Sequence, residues 1–140
     1  MLKYEKNLNV SKEEVYAFLL EQYQMTIKEA TGKDVPLKEL EKGYKYKTSK
    51  KVGKEVKEAT VHIKKPEKYK KLSSTYNLQE KHYEMTYTIT PVDNERITLT
   101  YEQITTPTIN EGALSNLMLK RNCSKTFKII EQTIQKRRNK

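Results

Sequence analysis

A chain of 140 residues can bury a core without staples, and its single cysteine, Cys123, excludes an internal disulfide. Hydrophobic residues make up 35% and charged residues 33%, yet only four Gly and four Pro are present and ten Tyr supply bulk, so one globular domain over 1–140 fits better than disorder. The net charge of +10 comes from residues 38–71, at +8, and residues 120–140, at +7, which points toward anionic partners without naming one.

Leu2, Tyr4, Lys6 and Leu8 alternate with Lys3, Glu5 and Asn7, the period of a strand. A helix follows with full punctuation. Ser11 is placed as N-cap, Glu14 closes a capping box, and Val10 and Val15 form a hydrophobic staple. Val15, Phe18, Leu19, Tyr23, Ile27 and Ala30 then share one face, and Gly32 ends the element. Pro36 opens a short helical turn through Leu40 that Gly43 stops.

Tyr44, Tyr46 and Thr48 begin a strand, residues 50–54 read as a turn, and Ala59, Val61 and Ile63 share one face of the next strand. Lys64-Lys65-Pro66 breaks it. Tyr69 to Tyr76 reads as a more polar strand. Tyr83, Met85, Tyr87 and Ile89 alternate with His82, Glu84, Thr86, Thr88 and Thr90, and Ile97, Leu99 and Tyr101 return after a turn at 91–95. The final element is a long helix. Asn110 is its predicted cap, with Ile109 and Leu114 as a second staple, and Leu119, Cys123, Phe127, Ile130 and Ile134 form its stripe. Residues 136–140 read as a frayed basic tail. The order is β-α-α-β-β-β-β-β-α. A sheet with one apolar and one Thr-rich face needs a cover, and the long helix is the predicted one.

Particular stretches carry a resemblance. They are Leu8-Asn9-Val10-Ser11, Phe18-Leu19-Leu20, residues 27–33, Leu40 with Gly43-Tyr44-Lys45-Tyr46, and Tyr87-Thr88-Ile89-Thr90-Pro91. The chain resembles a family of small proteins of unknown function found mainly in Gram-positive bacteria. Its element order is similar to the helix-grip fold of the START and pollen-allergen (SRPBCC) superfamily. The resemblance implies an α+β fold in which a six-stranded curved antiparallel sheet wraps a long C-terminal helix. It brings no functional residues. Members encoded near sugar-uptake systems hint at a metabolic role.

The chemistry-bearing residues are sparse. His62 and His82 fall in different strands on the polar face, Asp34 and Asp93 sit at turns, and no metal-ligand spacing or glycine-rich phosphate loop occurs. Cys123 reads as a small core side chain. No cofactor and no catalytic set are predicted, so the reading is a non-catalytic domain.

The tyrosines support a different function. Tyr44, Tyr46, Val61, Ile63, Tyr83, Met85, Tyr87, Ile89, Leu99, Tyr101 and Phe127 face the predicted core. They would line a pocket for a small hydrophobic or amphipathic ligand between sheet and final helix. The same rings also fill a solid core without any ligand.

The alternative is a basic adaptor that binds nucleic acid or an acidic protein through residues 38–71 and 120–140. Within it, Lys64, Lys65, Lys68, Lys70 and Lys71 surround Tyr69 as a charged patch with an aromatic platform. Against it, 24 of the 28 basic residues are Lys, which lack the bidentate fork used for specific reading. Charged residues on a strand edge also serve to block aggregation. Met1-Leu2-Lys3-Tyr4-Glu5 shows no secretory pattern and the apolar run at 16–20 is too short to span a bilayer, so a cytoplasmic location is expected.

Overall fold

The computed structural model describes residues 2–106 and 113–138. β1 (Leu2–Leu8) leads into α1 (Lys12–Thr31) and α2 (Leu37–Leu40). Then come β2 (Tyr44–Val52), β3 (Glu55–Ile63), β4 (Lys71–Leu78), β5 (Lys81–Pro91), β6 (Ile97–Thr106) and α3 (Ala113–Arg138). The six strands make one antiparallel sheet in the order β1-β6-β5-β4-β3-β2. The curved sheet and long C-terminal helix are as the sequence predicts.

The start of α1 is fixed locally before any packing. The Ser11 hydroxyl accepts from the Glu14 N–H, the Glu14 carboxylate accepts from the Ser11 N–H, and Val10 and Val15 are both wholly buried. Gly32 closes the helix, its N–H donating to the Lys28 carbonyl. The predicted second staple at Ile109, Asn110 and Leu114 lies outside the described residues and side chains.

Several boundaries differ from the sequence reading. β2 and β3 run on to Val52 and from Glu55, leaving only Gly53 and Lys54 as the connection. Gly53 takes φ +64°, which a two-residue hairpin turn requires and a side chain resists. Tyr69 is outside β4, which begins at Lys71. Its φ of +63° is unusual for a ring-bearing residue, and its ring packs edge-on against Tyr16 at 5.3 Å instead of extending a strand. α3 stays helical through Arg138, three residues into the stretch read as a frayed tail.

Register sets which side chains meet. Tyr44 faces Ile63, Tyr46 faces Val61, Leu72 faces Tyr87, Tyr87 faces Tyr101 and Ile89 faces Leu99, so the alternating apolar residues of all strands share the concave face. At one end of that face the core is solid: Leu72, Ile89, Ile97 and Leu99 are buried with Leu8, Val15 and Leu40. α3 lies on the β1 side, where Phe127 meets Tyr4 edge-on at 5.0 Å and Ile130 and Ile134 are buried. α1 lies across the β2 side.

Polar contacts pin the end of α3. Glu131 accepts from the Asn9 N–H at 2.7 Å, Arg137 pairs with Glu21 at 2.8 Å beside the Phe18 ring, and Arg138 holds Glu14 through two nitrogens. Among the described residues, no helix is long and apolar enough to cross a membrane.

Candidate functional site

Away from the solid end, the concave face is hollow. The main cavity, of about 330 Å³, is lined from the sheet by Tyr46, Thr48, Val61, Ile63, Ser74, Tyr76, Met85, Tyr87 and Tyr101, and from α1 by Tyr23, Thr26 and Ala30. Two further cavities adjoin it. One of about 310 Å³ runs between α1 and α3, past Phe18, Tyr23, Thr26, Tyr87, Ile129 and Ile130. Another of about 190 Å³ lies between α3 and the β1–β6–β5 side, reaching Leu2, Tyr101, Gln103, Cys123 and Phe127. Tyr87 lines all three, so the cavities meet around this residue.

The sequence placed the cavity beneath the long C-terminal helix. Among the described residues the main cavity has no α3 lining, and its roof is α1. The physical reason is lateral placement. α3 packs over β1 with Phe127, Ile130 and Ile134, and the β2–β4 half of the sheet is left to α1.

Six of the eleven predicted pocket residues line the main cavity: Tyr46, Val61, Ile63, Met85, Tyr87 and Tyr101. Phe127 lines the smaller neighbour. Ile89 and Leu99 are instead 3% and 0% exposed in the solid core. Tyr44 and Tyr83 share the concave face but pack against Tyr46 and Tyr76 rather than lining the cavity. Tyr23, Thr26, Ala30, Thr48, Ser74 and Tyr76 are lining residues that the sequence reading did not assign to a site. A signal for the first three was present, since they fall on the apolar stripe of α1.

Burial dominates the electrostatics of this wall. It pushes the Tyr23 phenol up to about 12, partly offset by a hydrogen bond with Ser74, and pushes Tyr101 up to about 12. Tyr87 is raised further by burial and by the neighbouring Tyr101, and burial raises Tyr46 and Tyr76 as well. The lining hydroxyls therefore stay protonated at neutral pH. The Tyr101 hydroxyl donates to Gln103 at 2.9 Å, and its ring packs at a tilt on Tyr87, with centroids 4.9 Å apart. Among the described residues, no carboxylate, imidazole or ammonium lines the main cavity. What remains is an apolar, aromatic chamber with neutral hydroxyl donors and acceptors.

The predicted basic patch is built differently from its sequence reading. Lys64, Lys65, Lys68, Lys70 and Lys71 are exposed, but Lys64 is engaged with Glu84 at 3.4 Å. Tyr69 is not a free platform, because one side of its ring packs on Tyr16 and Lys68 stands 5.3 Å from its centre. Cys123 is half-buried, with its thiol raised by burial.

Solved structures share this arrangement. Zhui aromatase/cyclase from Streptomyces sp. R1128 superposes with a TM-score of 0.59 at 11% identity, over 97% of this chain and 93% of that one. Ara h 8.0201 gives 0.58 at 12% identity, over 96% and 97%. A START superfamily protein from Mycobacterium smegmatis gives 0.54 at 8% identity, over 97% and 94%. These likenesses establish the helix-grip fold. No match to a curated protein was found. At the sequence level, residues 2–123 match the profile described as "Domain of unknown function (DUF3284)". The chain therefore belongs to the DUF3284 family, carried on a helix-grip fold.

Proposed function

We propose that this protein is a non-catalytic binding domain whose ligand, a small hydrophobic or amphipathic molecule, occupies the cavity between α1 and the concave sheet. The observation that carries the reading is the chamber of about 330 Å³, walled by five tyrosines with Val61, Ile63 and Met85. Its size falls at the lower end of ligand pockets, roughly 300–1,000 Å³, and its few hydroxyls suit orientation of a mostly apolar guest. A solid core would have been the cheaper packing, because unfilled volume forfeits dispersion contacts.

One structural relative is described as an aromatase/cyclase, so the fold alone does not decide between binding and catalysis. The lining favours binding. Proton transfer near neutral pH works best with a group titrating near that pH, whereas the tyrosines here are pushed upward.

A thermal-shift screen with small aromatic and aliphatic amphiphiles tests this. A ligand present at a hundred times its Kd adds about 2.7 kcal/mol, roughly 10 °C for a domain of this size. Val61→Phe, which grows a ring into the chamber, is expected to abolish the shift while the protein stays folded. No shift with any amphiphile, or an equal shift in the variant, would refute the reading.

A further inference from the structure

The interior of the cavity is uncharged, but one end of it is not. Lys50 and Lys57 stand directly opposite each other in the β2–β3 pair. Lys50 is two residues beyond Thr48, and Lys57 is two before Ala59, so both project from the concave face that carries Tyr46 and Val61. The Lys50 Nζ lies 5.9 Å from the centre of the Tyr76 ring, itself a wall of the cavity. The Lys57 side chain is only 28% exposed and meets Glu55 at 3.2 Å. Among the described residues, Lys50 has no acidic partner. Like charges placed directly opposite on one face of an antiparallel pair repel, and Lys50, although exposed, stands beside the aromatic wall of the cavity.

This arrangement leaves surplus positive charge where Thr48 and Tyr76 bound the cavity, next to a lining with no charge of its own. We propose that the occupant is a small amphipathic anion. Its apolar, ring-bearing body lies among the tyrosines, and its carboxylate-type head lies between Lys50 and Lys57. The inference rests on the reading of the cavity as a binding site and adds the charge and polarity of the guest.

Three probes share one body and differ in head charge near neutral pH: 4-phenylbutanoate, 4-phenylbutanol and 4-phenylbutylammonium. Their affinities are measured by calorimetry on the full chain and on Lys50→Gln/Lys57→Gln. The wild type is expected to bind the carboxylate about fivefold or more tightly than the alcohol, with the ammonium weakest. The double variant is expected to bind the alcohol unchanged and to lose the preference for the carboxylate. Both lysines are at least partly exposed and repel each other, so the variant should fold with equal or higher thermal stability. Alcohol and carboxylate binding equally to the wild type, or a preference that persists in the variant, overturns the anion inference and leaves the cavity reading standing. Absence of binding by all three probes overturns the anion inference with this ring-bearing body, while the cavity reading is decided separately by the wider amphiphile screen.

Discussion

Tyr87 concentrates the energetics of the hollow end in one residue. Its ring packs at a tilt on Tyr101 at 4.9 Å, approaches Phe127 at 6.5 Å and borders all three cavities. Truncation to Ala would fuse those spaces and remove the aromatic contacts. Tyr87→Ala should cost about 2–4 kcal/mol in urea unfolding, while Tyr87→Phe stays within about 1 kcal/mol. The hydroxyls add a pH dependence with a definite sign. An unfolded tyrosine titrates near 10.0, whereas folded Tyr23 and Tyr101 titrate near 12. The native state therefore keeps its protons longer than the unfolded chain, so the contribution is complete below 10 and declines as pH rises through about 12. The phenolate absorbance of Tyr23 and Tyr101 should accordingly appear late, coinciding with loss of far-UV circular dichroism. A single wave near pH 10 in a folded protein would contradict the buried setting of these rings.

Among the elements, α1 is the one that joins cap, cavity roof and latch. The Ser11–Glu14 capping box was legible because caps are written in adjacent residues, and Ser11→Ala should cost about 1 kcal/mol in chemical unfolding. The latch was not legible. Arg138 lies 124 residues from Glu14, and nothing local announces their pairing. The Arg138 guanidinium, aided by Ser11, holds the Glu14 carboxyl down at about 2 from its usual 4.5. A folded value below the unfolded one contributes stability that is full above 4.5 and is lost as pH falls toward 2. The pair is solvent-screened, so its share is about 1 kcal/mol. Both Glu14→Gln and Arg138→Gln should flatten the same acid-side stretch of the stability curve, and the double variant should add little to either. Additive losses would show that the two residues act separately. Hairpin lengths were also misread from sequence. The Lys-rich run at 50–54 has the composition of a turn, yet pairing continues to Val52 and Glu55, and only that longer register sets Lys50 against Lys57.

Over the whole molecule, alternation in the strands and the 3.6-residue stripe in the helices were enough to reveal the sheet, its apolar face and the two long helices. The sheet half of the candidate site followed from the same alternation. Its α1 half did not, because periodicity shows that Tyr23 and Thr26 face inward without showing whether they meet packed side chains or empty space. Which helix covers which strands is likewise a property of packing. Charge has a different reach, since the net +10 depends little on fold detail. The described surface ion pairs, such as Lys28–Asp34, Lys47–Glu58 and Arg96–Asp93, are solvent-exposed, contribute little and weaken with salt. Repulsion within residues 38–71 and within residues 120–140 weakens with salt too, because the Debye length falls to about 10 Å at 0.1 M. With 28 basic against 18 acidic residues, more repulsion than attraction is there to be screened. Raising sodium chloride from about 0.01 to about 0.3 M should therefore raise the Tm by a few degrees, and Lys50→Gln/Lys57→Gln should reduce that gain. A Tm that falls over this range would mean that the ion pairs outweigh the excess positive charge.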